Sequence, residues 1–239
     1  MDDTALDHLT PKKTLTFNNR YLISGLVHGF NKGWMYAITI LLAVFGYLGF
    51  QLTILVPLMS RLKANGYTDL QITDNPSLIF SSEALNMDKN LLITLELGMF
   101  VFALLGFYIG IRYLHQKTFL SVLTGFDRFR YGRFGFAFLI WGSLITAVTL
   151  YSYFSGDSGL TLNFNLEGFL ISVTILAALM PLQTGFEELL FRGYFIQGLS
   201  QIFRNGIIPL FITSLLFGLA HMGNPEVHKY GWPIMLSYY

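Results

Sequence analysis

The chain has 239 residues, 53% of them hydrophobic and 12% charged, with a mean hydropathy of +0.53. A soluble domain carries about 25% charged residues, so this composition excludes an ordinary soluble domain and points to a membrane protein. A net charge of +1 gives no case for nucleic acid as a partner, and the absence of cysteine excludes disulfides, thiolate zinc sites and a cysteine nucleophile.

Residues 1–33 are polar and mixed in charge. Asp2, Asp3 and Asp7 stand where a signal peptide would be basic, so this stretch reads as a cytoplasmic tail with a helix near Tyr21–Phe30. Trp34 to Met59 is an apolar run long enough to cross about 30 Å of hydrocarbon as a helix, with Pro57 marking its exit. Residues 60–90 are polar with an Asn75-Pro76 turn signal and are expected to form an external loop. Leu91 to Leu114 is a second span, in which Glu96 has no partner in sequence and is assigned to a helix end.

Residues 112–133 mix Arg112, Lys117, Arg128, Arg130 and Arg133 with Phe119, Phe126, Phe129 and Tyr131. Basic residues among aromatics beside a membrane read as an interfacial segment on the cytoplasmic face, and His115 is placed there too. Phe134 to Phe154 is a third span, followed by a loop, 155–165, without Lys or Arg. Leu166 to Gln183 opens a fourth span that runs past Pro181 into Glu187-Glu188. Ile207 to Met222 is a fifth, ended by an Asn224-Pro225 turn. Glu226, His228 and Lys229 read as loop polarity, and Tyr230–Tyr239 is apolar again. The fold class is therefore all-α, a polytopic transmembrane helix bundle. With the amino terminus inside, eleven Lys and Arg fall inside and four outside, which follows the positive-inside rule.

Charged side chains at mid-membrane cost about 2.5–3.5 kcal/mol on insertion scales, so they are usually paired and functional. Glu187, Glu188 and Arg192 lie in one apolar segment and His221 in another. At about 100° per residue, Glu188 and Arg192 share a helix face and can pair, while Glu187 points to an adjacent one. One carboxylate could thus be held by the guanidinium while the other serves as an acid or base; spacing alone does not say which. A second helix bringing an imidazole to the same depth completes what water activation at a carbonyl needs. The same residues also fit a helix-end ion pair with Arg192 snorkelling to water, and His221 with Asn224 fits a simple helix cap.

Glu187-Glu188-x-x-x-Arg192 followed by Phe217-x-x-x-His221 resembles the first two motifs of the CPBP (CAAX protease and bacteriocin-processing, or Abi) intramembrane proteases. The basic aromatic stretch FLSVLTGFDRFRYGRF and the HMGNP after the second motif are also similar to bacterial members. The resemblance implies a tail over 1–33, amino-terminal helices and loops over 34–165, and a catalytic core over 166–239. It implies an endopeptidase in the cell (cytoplasmic) membrane, multi-pass with a cytoplasmic amino terminus, acting on a peptide or protein substrate amid membrane lipid. By carry-over Glu187 activates the attacking water, Glu188 and Arg192 support it, and His221 holds or polarises the water. The family has been described both as metal-dependent, with a divalent ion such as zinc, and as a glutamate-type peptidase, and the resemblance leaves both open. The family's third motif, a His followed four residues on by Asn or Asp, does not occur. The expectation is a core incomplete at its carboxyl end; a non-catalytic membrane binding or bacteriocin-immunity protein on the same scaffold is the alternative.

Overall fold

A chain in hydrocarbon must pair its backbone N–H and C=O groups internally, and this one does so with helices; no strand occurs among the described residues. The computed structural model describes residues 19–156, 162, 164–224, 227 and 230–238. The tail through Asn18, most of the 155–165 loop, and Pro225, Glu226, His228 and Lys229 lie outside the described residues.

The elements are α1 (Arg20–Val27), α2 (Gly33–Ala64), α3 (Asp69–Asp74), α4 (Ser82–Leu85), α5 (Lys89–Ile109), α6 (Phe119–Leu123), α7 (Tyr131–Ser155), α8 (Leu166–Glu188), α9 (Ile196–Phe203) and α10 (Ile207–Ala220). A π turn, Gly110–Leu114, prolongs α5, and a π segment, Leu189–Phe195, joins α8 to α9 without a break. Four stretches are long and apolar enough to cross a membrane: Gly33–Ala64, Lys89–Leu114, Tyr131–Ser155 and Leu166–Phe203. This is a multi-pass membrane protein. The fifth expected span is shorter than a span: α10 has 14 residues, about 21 Å at 1.5 Å per residue. It stops at Ala220 because His221 and Asn224 turn the chain there.

Without a hydrophobic drive between helices in lipid, close packing depends on small residues that let backbones approach. Gly46 and Gly106 do this between α2 and α5. A Cβ on Gly106 would stand 2.2 Å from the Leu42 carbonyl oxygen, and one on Gly46 would stand 2.3 Å from that of Phe102. α5 then packs its other side on α8, whereas α7 has no buried residue.

Residues 60–90 are not a plain loop. α2 continues seven residues past Pro57 instead of ending there, and so buries Leu58 and Leu62 against Ile72, Ala84, Leu85 and Leu92. Arg61 donates to the carbonyls of Leu85 (2.7 Å) and Asn86 (2.8 Å), and Asn65 to that of Ala84 (2.8 Å). The 60–90 segment is a small folded cap over one end of α2 and α5.

At the opposite end, α1 and the 115–126 stretch form a platform. Phe126 has the guanidinium carbons of Arg20 and Arg130 at 4.6 and 4.5 Å from its ring centroid, within cation–π range. His115 and Lys117, expected at the interface, are instead interior. His115 is fully buried and Lys117 is 2% exposed. The Lys117 Nζ donates to the Gly25 carbonyl (2.9 Å) and to Asn31 Oδ1 (2.6 Å), and so ties the turn after α5 to the turn before α2.

Two tests of packing and charge follow from these contacts. Gly106→Ala should lower stability by about 1–3 kcal/mol, the range for overpacking, seen as a fall of several degrees in the thermal midpoint in detergent. Gly49→Ala, whose Cβ meets nothing within 4 Å, should leave the midpoint unchanged or raise it. Burial pushes the Lys117 amine from 10.5 down to about 8. Between those values the unfolded chain holds a proton that the folded chain does not, so stability should rise as pH climbs from about 8 to about 10.5. Midpoints measured across that window should show an upward increment in the native protein that Lys117→Met lacks.

Candidate active site

The acidic motif is held from both sides by aromatic anchors. Phe186, just before it, packs on Phe107 of α5 with ring centroids 6.1 Å apart, and Tyr194, just after it, packs on the same ring at 5.2 Å. The Tyr194 hydroxyl and His115 Nε2 are 2.7 Å apart. His115 Nδ1 lies 2.7 Å from the Phe30 carbonyl oxygen; that oxygen can only accept, so Nδ1 carries the proton and Nε2 accepts from Tyr194. A Cβ on Gly193 would come within 3.1 Å of the Val122 carbonyl oxygen, so the platform rests directly on the π segment. Single-turn π geometry inside an α-helix is frequent at functional sites; here it follows directly on Glu187-Glu188.

α10 brings the second motif alongside. Arg204 in the left-handed region and Asn205 turn the chain out of α9, and Asn205 Oδ1 caps the start of α10. The Phe217 ring meets Phe191 edge-on at 5.4 Å. His221 ends α10, and its Nδ1 lies 2.7 Å from the Phe217 carbonyl oxygen. The proton is therefore on Nδ1, and the lone pair of Nε2 is directed away from the helix. Tyr238 stacks on the imidazole at 4.6 Å, and its hydroxyl accepts from Asn224 Nδ2 at 3.1 Å.

Glu187 and His221 come together. Nε2 of His221 stands 3.9 Å from Oε2 of Glu187, and Gln183 Nε2 approaches Oε1 at 3.5 Å. Both line a cavity of about 690 Å³ between α2, α5, α8 and α10. Glu188 and Arg192 are elsewhere. They pair with each other, half exposed, and line a separate pocket of about 370 Å³ facing Tyr21 and Phe126 of the platform. The Arg192 guanidinium also lies 5.1 Å from the Phe217 ring centroid, so it spans the two motifs without entering the cavity that holds Glu187.

Sequence reasoning missed part of this wall. Tyr47 and Gln51 of α2, Glu96 of α5 and Gln183 of α8 all line the Glu187 cavity. Glu96 is not at a helix end; it sits two turns into α5. A carboxylate deep in an apolar span was itself the available signal.

Residues 166–239 match the family model described as type II CAAX prenyl endopeptidase Rce1-like. Over this segment the chain is similar to the CAAX prenyl endopeptidase family. The Bacillus subtilis (strain 168) protein described as "Uncharacterized protein YyaK" is 31% identical over 160 residues, which cover 65% of this chain and 52% of that relative. The chain thus spans about half the length of this curated relative. No solved structure matches the chain. A zinc-type site takes three protein ligands and an open position. Among the described residues no three His, Asp or Glu side chains converge; Glu187 and His221 contribute two donors, and the residues present do not fit that set.

Tyr194→Phe should leave His115 Nε2 buried without a donor, at a cost of about 1–3 kcal/mol. The expected outcome is a thermal midpoint several degrees below that of the native protein in detergent.

Proposed function

We propose that the chain carries the water-activating part of an intramembrane endopeptidase of the CPBP type. The reading is supported by one observation above all: Glu187 and His221, from two helices of the CAAX protease-like segment, face each other across 3.9 Å in a shared cavity. A separation of that size suits a bridging water. With Nδ1–H committed to Phe217, His221 Nε2 accepts one water hydrogen while the Glu187 carboxylate accepts the other. The oxygen lone pair is then free to attack the amide carbon. The C–O bond forms as one water proton passes to Glu187, the C–N bond breaks as that proton is delivered to the leaving nitrogen, and a carboxylic acid and an amine result, the acid then passing its proton to the amine. Gln183 orients Glu187, and Tyr238 fixes the imidazole plane. Glu188 and Arg192 act as positioning residues that dock α10 on the π segment. The protein works in the cytoplasmic membrane with its amino terminus inside, which keeps the Arg20, Arg112 and Arg130 end on the anionic leaflet.

Reconstituted into liposomes with quenched-fluorescent peptides, Glu187→Gln should lower hydrolysis about 10²–10⁴-fold, the range for a general base, with the thermal midpoint kept. Glu188→Gln should cost about tenfold, because a half-exposed pair is worth little. Undiminished hydrolysis by Glu187→Gln would overturn the assignment and favour a non-catalytic binding role for the scaffold.

A further inference from the structure

The Glu187 cavity holds a second carboxylate that the hydrolytic step does not use. Glu96 enters its wall from α5, and Tyr47 of α2 lines the same cavity. Among the described residues, Glu96 makes no hydrogen bond or ion pair and no Lys or Arg lines this cavity. The motif's own cation is turned away, since Arg192 pairs with Glu188 at the other pocket.

A carboxylate two turns inside an apolar span is costly to keep unpaired. A cavity wall with two acids and, among the described residues, no Lys or Arg favours a cation in the space where a substrate would lie. Resting on the endopeptidase reading, we infer that Glu96 is a specificity residue: the cavity takes peptides carrying a Lys or Arg side chain close to the cleaved bond. The ammonium or guanidinium then supplies the partner that Glu96 lacks, as a charge-assisted hydrogen bond formed away from bulk water. Because Glu96 and Glu187 line the same cavity, the basic residue and the scissile amide share that space.

The test uses two non-cleavable reduced-amide peptides that differ only in lysine or norleucine beside the reduced bond. Their binding to the full chain in nanodiscs is measured by fluorescence anisotropy. The lysine peptide should bind about ten- to a hundredfold more tightly, and Glu96→Gln should remove that preference while keeping the affinity for norleucine. Equal or undetectable binding of the pair by the native protein, or a preference retained in Glu96→Gln, overturns the inference. Should Glu96→Gln fail to fold, acetylation of the peptide lysine makes the same test on native protein, with loss of the preference expected and its persistence overturning. Hydrolysis of peptides without a lysine preference would sink this inference alone. A lysine preference in a protein that cleaves no peptide would sink the endopeptidase reading and leave Glu96 as a binding residue.

Discussion

Phe107 is the contact on which the arrangement depends. Its ring meets Phe186 on one side of the acidic motif and Tyr194 on the other, so the depth of Glu187 is set by an aromatic ring on a different helix. That ring is held because its neighbour Gly106 lets α2 approach α5 at backbone distance. Interiors packed to crystal-like density transmit small shifts, and here packing, not hydrogen bonding, decides where the carboxylate stands. The polar contacts nearby are few and local: Gln183 to Glu187, and Phe217 to His221.

The two glutamates are adjacent in sequence and separate in space. Glu187 faces the cavity with His221, and Glu188 faces the platform with Arg192. Neighbouring helical residues diverge by about 100°, which allows a paired acid and an available acid to sit side by side without competing for the same cation. The π segment that follows carries Tyr194 to His115. The site is thereby joined to the buried turn around Lys117 and to α1.

Much of this was legible in the sequence because lipid imposes a simple rule: long apolar runs become helices. The second and third spans and the Glu188–Arg192 pair follow from run length and from i, i+4 geometry. What was not legible depends on three-dimensional neighbours. His115 and Lys117 look interfacial in a basic stretch, yet both are buried because α1 and the 28–31 turn fold over them and offer the Gly25 and Phe30 carbonyls and Asn31. Pro57 looks like a helix exit, yet the helix continues because Leu58 and Leu62 gain a core in the cap. Glu96 looked isolated because its neighbours in the cavity come from α2, α8 and α10, far away along the chain.

The guanidinium of Arg192 lies over the Phe217 ring while it pairs with Glu188. A flat cation can stack on an aromatic face and grip a carboxylate along its edge at once; a spherical ammonium cannot do both. The seam between the two signature helices is therefore closed by the shape of one side chain as much as by its charge, and lysine there would conserve the electrostatics while leaving the seam open.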